Sequence, residues 1–225
     1  MYENGTGVKA DNRQAIEYYM KAAEKMVPEA LNKIGYFYEK GIQLEKSNSK
    51  AFEYYQKAAE FNYPDALNNV GYCYENGIGT KIDHSKASLY YQKAAKSGLH
   101  SALINLGISY EKGIGVKQDY AKALSYYQNV AKTGNPAPLY NLGVLYENGA
   151  GVKQDYTKAV DYYKKASDLN LPDALNNLGF CYEKGFGVKK DCNAAIHFYQ
   201  KAADLGLPAA MNNLGFCYEK GTGVK

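Results

Sequence analysis

The stretch Ala30-Leu31-Asn32-Lys33-Ile34-Gly35-Tyr36-Phe37-Tyr38-Glu39-Lys40-Gly41 returns 36 residues later as Ala66-Leu67-Asn68-Asn69-Val70-Gly71-Tyr72-Cys73-Tyr74-Glu75-Asn76-Gly77. It starts again at Ala102, Pro138, Ala174 and Ala210, with no insertion or deletion between copies. The intervening segment repeats as well. Ala51, Tyr54-Tyr55 and Ala58-Ala59 come back as Ala87, Tyr90-Tyr91 and Ala94-Ala95, and with small changes from Ala15, Ala123, Ala159 and Ala195. A fixed period of this length marks a repeat array. The reading is one solenoid over 1–225: a partial repeat at 1–29, repeats at 30–65, 66–101, 102–137, 138–173 and 174–209, and a partial repeat at 210–225.

Each unit reads as two helices. In the first, Ala30, Leu31, Ile34, Gly35 and Tyr38 fall on one face at 100° per residue. Gly35 sits mid-helix, where glycine costs about 1 kcal/mol against alanine. Its return in every copy predicts a close approach in which a side chain would not fit. Gly41 and its equivalents end this helix. Asp11, Ser47, Asp83, Asp119, Asp155 and Asp191 stand where the second helix begins and read as N-caps, able to accept from unpaired backbone N–H groups. Asn62, Gly98, Gly134, Asn170 and Gly206 supply a left-handed turn after it. Pro28, Pro64, Pro136, Pro172 and Pro208 then open the next first helix, where a missing N–H is harmless. Tyr2 to Lys9 matches Tyr218 to Lys225, so the chain starts and stops at one phase of the repeat. That phase, with no polar capping repeat in view, reads as a section of a longer array or as ends covered by another domain.

Composition removes several classes. The 225 residues are 46% apolar and 22% charged, enough to build a core. No apolar run approaches the roughly 20 residues a spanning helix needs, and residues 1–4 lack the basic start and apolar stretch of a signal peptide. The net charge of +4 demands neither nucleic acid nor membrane. Only Arg13 among 27 basic residues is arginine, the residue suited to bidentate phosphate recognition. Cys73, Cys181 and Cys217 share one repeat position with Phe37, Ser109 and Leu145, a site for packing of tolerant size. Equivalent positions in adjacent repeats stand about 10 Å apart, too far for a disulfide. Reduced thiols and a cytoplasmic setting follow. His84, His100 and His197 occupy three different repeat positions, so no metal site or Cys–His nucleophile is expected. Gly113-x-Gly115 follows a helix and lacks the strand and third glycine of a dinucleotide loop. No cofactor and no enzyme activity are expected.

The order Ile34-Gly35-x-x-Tyr38, Ala51-x-x-x-Tyr55, Pro64 follows the tetratricopeptide pattern, but with 36 residues in place of 34. With Leu106-Gly107, Tyr110, Gly113-Ile114-Gly115-Val116, Asp119, Lys122-Ala123, Tyr126-Tyr127 and Ala131, the sequence closely resembles the Sel-one-like repeat family. The resemblance covers the whole chain. It implies an all-α, right-handed superhelical solenoid of helix pairs and a role as adaptor or scaffold. Members occur in protein quality control, in signalling and fused to enzymes such as protein kinases. One copy departs: Gly41-Ile42-Gln43-Leu44-Glu45-Lys46 lacks the second glycine, which leaves the conformation of that loop open.

The resemblance also implies that first helices line a concave groove. The stripe opposite their core face then faces it. Its first row is Asn32, Asn68, Ile104, Tyr140, Asn176 and Asn212. Its second is Tyr36, Tyr72, Ile108, Val144, Phe180 and Phe216. A third, partly groove-facing, contains Lys33, Asn69, Asn105, Asn141, Asn177 and Asn213. A carboxamide donates and accepts, so an asparagine ladder suits a peptide backbone. Neighbouring helices lie about 8–10 Å apart and three extended residues span about 10 Å, which gives one asparagine for every third residue. The other reading is that these asparagines bond one another or local backbone. The aromatic row likewise either meets a ligand or fills gaps between helices. Ile104, Ile108, Tyr140 and Val144 replace the Asn–aromatic pairs in two adjacent repeats, which reads either as an apolar anchor site or as tighter repeat packing. The glutamates at 39, 75, 111, 147, 183 and 219 read as a solvated rim paired with lysines. The expected function is a non-enzymatic scaffold binding a protein or peptide, with no nucleic acid or membrane partner and no small-molecule cofactor. The alternatives are a regulatory or spacer segment of a larger enzyme such as a kinase, and an RNA-binding repeat, which would want a more basic groove.

Overall fold

The computed structural model describes residues 11–221, which hold twelve α-helices and no strand. The matched segments Tyr2–Lys9 and 222–225 lie outside the described residues. The chain divides into two compact units, Met1–Gln118 and Asp119–Lys225. The first holds α1 (Asn12–Glu24), α2 (Pro28–Lys40), α3 (Asn48–Ala59), α4 (Pro64–Asn76), α5 (His84–Ala95) and α6 (His100–Lys112). The second holds α7 (Tyr120–Ala131), α8 (Pro136–Asn148), α9 (Tyr156–Ser167), α10 (Pro172–Lys184), α11 (Cys192–Asp204) and α12 (Pro208–Glu219). Within each unit every helix packs on the next in sequence, which is the wiring of a helical solenoid.

The helix limits follow from local chemistry. All six predicted N-caps cap: Asp83, for example, accepts from the Lys86 N–H at 2.9 Å, and Asp191 from those of Asn193 and Ala194 at 3.0 Å. Gly41, Gly77, Gly113, Gly149 and Gly185 end first helices in the left-handed region. Asn62, Gly98, Gly134, Asn170 and Gly206 make the predicted left-handed turns, and Met26 takes the same conformation at φ 58° in the first copy.

The core is built around one tyrosine per second helix. Tyr55, Tyr91, Tyr127, Tyr163 and Tyr199 are fully buried. The mid-helix glycine exists for this ring: a Cβ on Gly35 or Gly71 would stand 2.7 Å from the ring of Tyr55 or Tyr91. The glycine gives up helix propensity and gains the burial of a large aromatic, about 1.5–3 kcal/mol. The ring's hydroxyl then needs a partner, and the next helix turn supplies it. Tyr55 donates to Glu39 at 2.8 Å, Tyr91 to Glu75 at 2.6 Å, Tyr199 to Glu183 at 2.9 Å, and Tyr163 to Glu147. Four glutamates of the row are therefore not the solvated rim expected from the sequence, whereas Glu219 is exposed as expected. Glu39, Glu75, Glu147 and Glu183 are half-buried acceptors of a core hydroxyl, although Lys40 and Lys184 do pair with Glu39 and Glu183.

The second loop glycine joins one repeat to the one before it. A side chain on Gly79 would overlap the Asn48 carbonyl at the start of α3, and one on Gly115 the His84 carbonyl at the start of α5. Gln43, the departing copy, still takes φ 57°. Gln43→Gly is expected to raise stability by about 1 kcal/mol through relief of this conformation, net of the added freedom of the unfolded chain. An unchanged urea midpoint would contradict it.

Cys73, Cys181 and Cys217 are buried, and Cys192 is half-exposed. Burial, helped by Glu39 and Glu147 respectively, pushes the Cys73 and Cys181 thiols up to about 12. Since the thiolate is the reactive form, a disulfide reagent at pH 8 is expected to label Cys192 first. Cys73 and Cys181 should react at the rate of unfolding, as mass spectrometry of timed samples would show.

Candidate functional site

The candidate residues lie on the first helices, in each of the two units. In the first unit Tyr36 and Tyr72 are 41% and 44% exposed, while Asn32, Asn68, Asn69, Asn105, Ile104 and Ile108 are half-buried. In the second, Phe180 is 36% exposed and Asn212 is exposed, while Tyr140, Asn141, Val144, Asn176 and Asn177 are half-buried.

The asparagines are joined to one another. Asn69 donates its amide to the Asn32 oxygen at 2.9 Å, Asn105 to Asn68 at 3.1 Å, and Asn213 to Asn176 at 2.8 Å. Each bond links helices of consecutive repeats, because the two positions differ by 37 residues, one more than the period. The two asparagine rows therefore act as one set of cross-braced amides. A carboxamide has two N–H donors and two acceptor lone pairs. Within a pair the first member keeps both donors and the second keeps its acceptor, so the bond orients the amides without exhausting them.

The ladder changes where the first row does. Tyr140 stands in place of an asparagine, and its ring tilts against Tyr163 with centroids 5.8 Å apart. Burial first, and then Glu147, raise the pKa of the Tyr163 hydroxyl, and Asn177, one period plus one residue on from Tyr140, lowers it. Tyr140 and Val144 pack against the buried cluster of Ala159, Val160, Tyr163, Leu178 and Cys181. Ile104 and Ile108 belong to the first unit and Tyr140 and Val144 to the second.

Among the described residues no cluster of three or more His, Cys, Asp or Glu side chains could hold a metal ion. No described helix is long and apolar enough to cross a membrane. The recurring residues thus divide into a structural set, the Gly–Tyr–Glu units with their caps, and the braced amide and aromatic face. The family model described as "Sel1 repeat" matches this pattern seven times, at residues 1–25, 28–60, 64–99, 100–134, 139–171, 172–207 and 208–225. The chain belongs to the Sel1 repeat family. Comparison with curated protein sequences gives no match.

Solved structures agree. A Sel1 repeat protein from Oxalobacter formigenes is 36% identical, with a TM-score of 0.86 over 94% of this chain and 86% of that one. The antigen c5321, described as a protective antigen of uropathogenic Escherichia coli strains displaying an SLR fold, is 28% identical, with a TM-score of 0.85 over 99% of this chain. The match spans 48% of that antigen, so the present chain corresponds to about half of its length. The immunity protein Pa5087 of Pseudomonas aeruginosa, 23% identical with a TM-score of 0.57 over 88% of this chain and 74% of that one, shares the fold alone. Sel1 repeat proteins are in general non-catalytic scaffolds for protein interaction.

Proposed function

We propose that this Sel1 repeat chain is an adaptor that receives an extended segment of a protein partner along the outward face of its first helices. The observation that carries the reading is the set of cross-braced amides, Asn32–Asn69 and Asn68–Asn105 in the first unit and Asn176–Asn213 in the second. They keep donors and acceptors in fixed orientation next to half-exposed aromatic rings, which suits a backbone read without regard to its side chains. Tyr36 and Tyr72, or Phe180, would cover the partner's apolar groups. Ile104 with Ile108, and Tyr140 with Val144, are the apolar positions for an anchoring side chain.

The test is capture of partners by the whole chain, identification by mass spectrometry, and titration of the purified partner segment. Asn68→Ala with Tyr72→Ala, and separately Ile104→Asp with Tyr140→Ala, are expected to weaken binding at least about tenfold, or about 1.4 kcal/mol. Circular dichroism would confirm that helicity is retained. Equal affinities across native and substituted proteins would sink the reading and favour a spacer role in a longer enzyme.

A further inference from the structure

One recurring residue takes part in neither ion pairing nor helix capping among the described residues. The loop between first and second helix carries a lysine at Lys81, Lys117, Lys153 and Lys189. All four are exposed, and among the described residues none has an ion-pair partner. Helix capping in the same loops is performed by Asp83, Asp119, Asp155 and Asp191, not by these lysines.

In the second unit the loop edge gains aromatic surface as well. After its first glycine, the loop holds Thr6, Ile42, Ile78, Ile114 and Ala150 in earlier copies but Phe186 here. Phe186 is 36% exposed. Its ring stacks on Tyr156 with centroids 4.8 Å apart and meets Phe180 edge-on at 6.0 Å. Gly187 lies so close to the Tyr156 backbone that a side chain there would overlap it, so the cluster is fixed where consecutive repeats join. Lys153 precedes Tyr156 in one loop, and Lys189 and Lys190 follow Phe186 in the next. Of the carboxylates at these helix ends, Glu183 is ion-paired with Lys184 and Asp155 with Lys158, while Asp191 caps α11 through backbone N–H groups and keeps its charge. These two loops thus carry three exposed lysines, Lys153, Lys189 and Lys190, and the capping carboxylate of Asp191, next in sequence to an aromatic ledge.

We infer that this loop edge of the second unit docks an acidic protein segment, seating one aromatic or aliphatic side chain on Tyr156, Phe180 and Phe186 while Lys153, Lys189 and Lys190 meet its carboxylates. The surface is separate from the amide ladder and touches the proposed adaptor face only at Phe180. Aromatic rings bury large area at low entropic cost, and lysines steer an acidic partner to them.

The probe is a short fluorescein-labelled peptide of aspartate and glutamate around one phenylalanine, titrated by anisotropy with the whole chain. Binding tighter than about 100 µM at low salt is expected, weakening as salt screens the lysines. Phe186→Ile installs the residue that three other copies carry and leaves the loop intact. It is expected to weaken binding about tenfold, as is the triple change Lys153→Gln, Lys189→Gln, Lys190→Gln. A peptide with serine in place of phenylalanine should lose a similar factor. No binding at about 1 mM, or equal affinity in both variants, overturns the inference. So does loss of binding on Tyr72→Ala, which would place the peptide on the amide face. Tighter binding of a single-stranded oligonucleotide through the same residues overturns it too, since stacking rings with lysines also suit nucleic acid.

Discussion

Between pH 10 and pH 12 the fold is expected to collapse cooperatively, releasing buried tyrosines as tyrosinate in the same transition. Burial first, and then the hydrogen bond to a glutamate, raise the hydroxyls of Tyr55, Tyr91, Tyr163 and Tyr199 far above the ordinary phenol value near 10. The unfolded chain loses these protons at about pH 10 while the folded chain keeps them. Stability is thus complete below pH 10 and falls as pH rises, by about 1.4 kcal/mol per tyrosine per unit. Each unit holds two of the four. At pH 11.5 that is a loss of about 4 kcal/mol per unit, against a usual total of about 5–15. Tyrosinate absorbance and helical circular dichroism should change together. Tyrosinate appearing smoothly at pH 10 with helicity unchanged would refute the account. Tyr91→Phe should lower stability at neutral pH by about 1–3 kcal/mol, because Glu75 loses its donor, and should make the alkaline fall shallower.

Gly115→Ala should be the most damaging small substitution in the first unit. Two costs add there. At φ +70° alanine is strained by about 1–2 kcal/mol. Its Cβ would also overlap the backbone carbonyl of His84 and stand 2.8 Å from Ser88 Oγ. Backbone cannot rotate away as a side chain can, so the repeats must part, at about 1–3 kcal/mol more. The sum is about 2–5 kcal/mol, read from urea unfolding. Gly98→Ala separates the two costs: at φ +79° nothing lies within 4 Å of its added Cβ, so only the conformational cost of about 1–2 kcal/mol remains. Equal losses at the two sites would mean that the inter-repeat contact contributes nothing.

The sites show why some residues were readable in advance and others were not. The tyrosine pair Tyr54-Tyr55 looks uniform in sequence, yet its members part company. Tyr55 enters the core beneath Gly35, while Tyr54 stacks on Tyr38 with centroids 5.6 Å apart, and Lys57 and Lys50 lie over the two rings. The glutamate row repeats as faithfully as a surface charge would. Its partner lies 16 residues away on the facing helix, out of reach of any local pattern. The lysine of the second loop was equally visible in the sequence. It stands out only once Asp155 and Glu183 are found paired with Lys158 and Lys184.

The sequence by itself determined the period, the helix pairs, the six N-caps, the left-handed helix ends and turns, and the need for close approach at the mid-helix glycine. These rest on one residue and its immediate neighbours, through backbone sterics and local hydrogen bonds. Tertiary structure alone decided which ring meets that glycine, which carboxylate receives the buried hydroxyl, and that Asn69 bonds Asn32 across a spacing of one period plus one residue. Periodicity states that equivalent residues share an environment. It does not state which partner completes that environment, because the partner is fixed by how neighbouring helices cross.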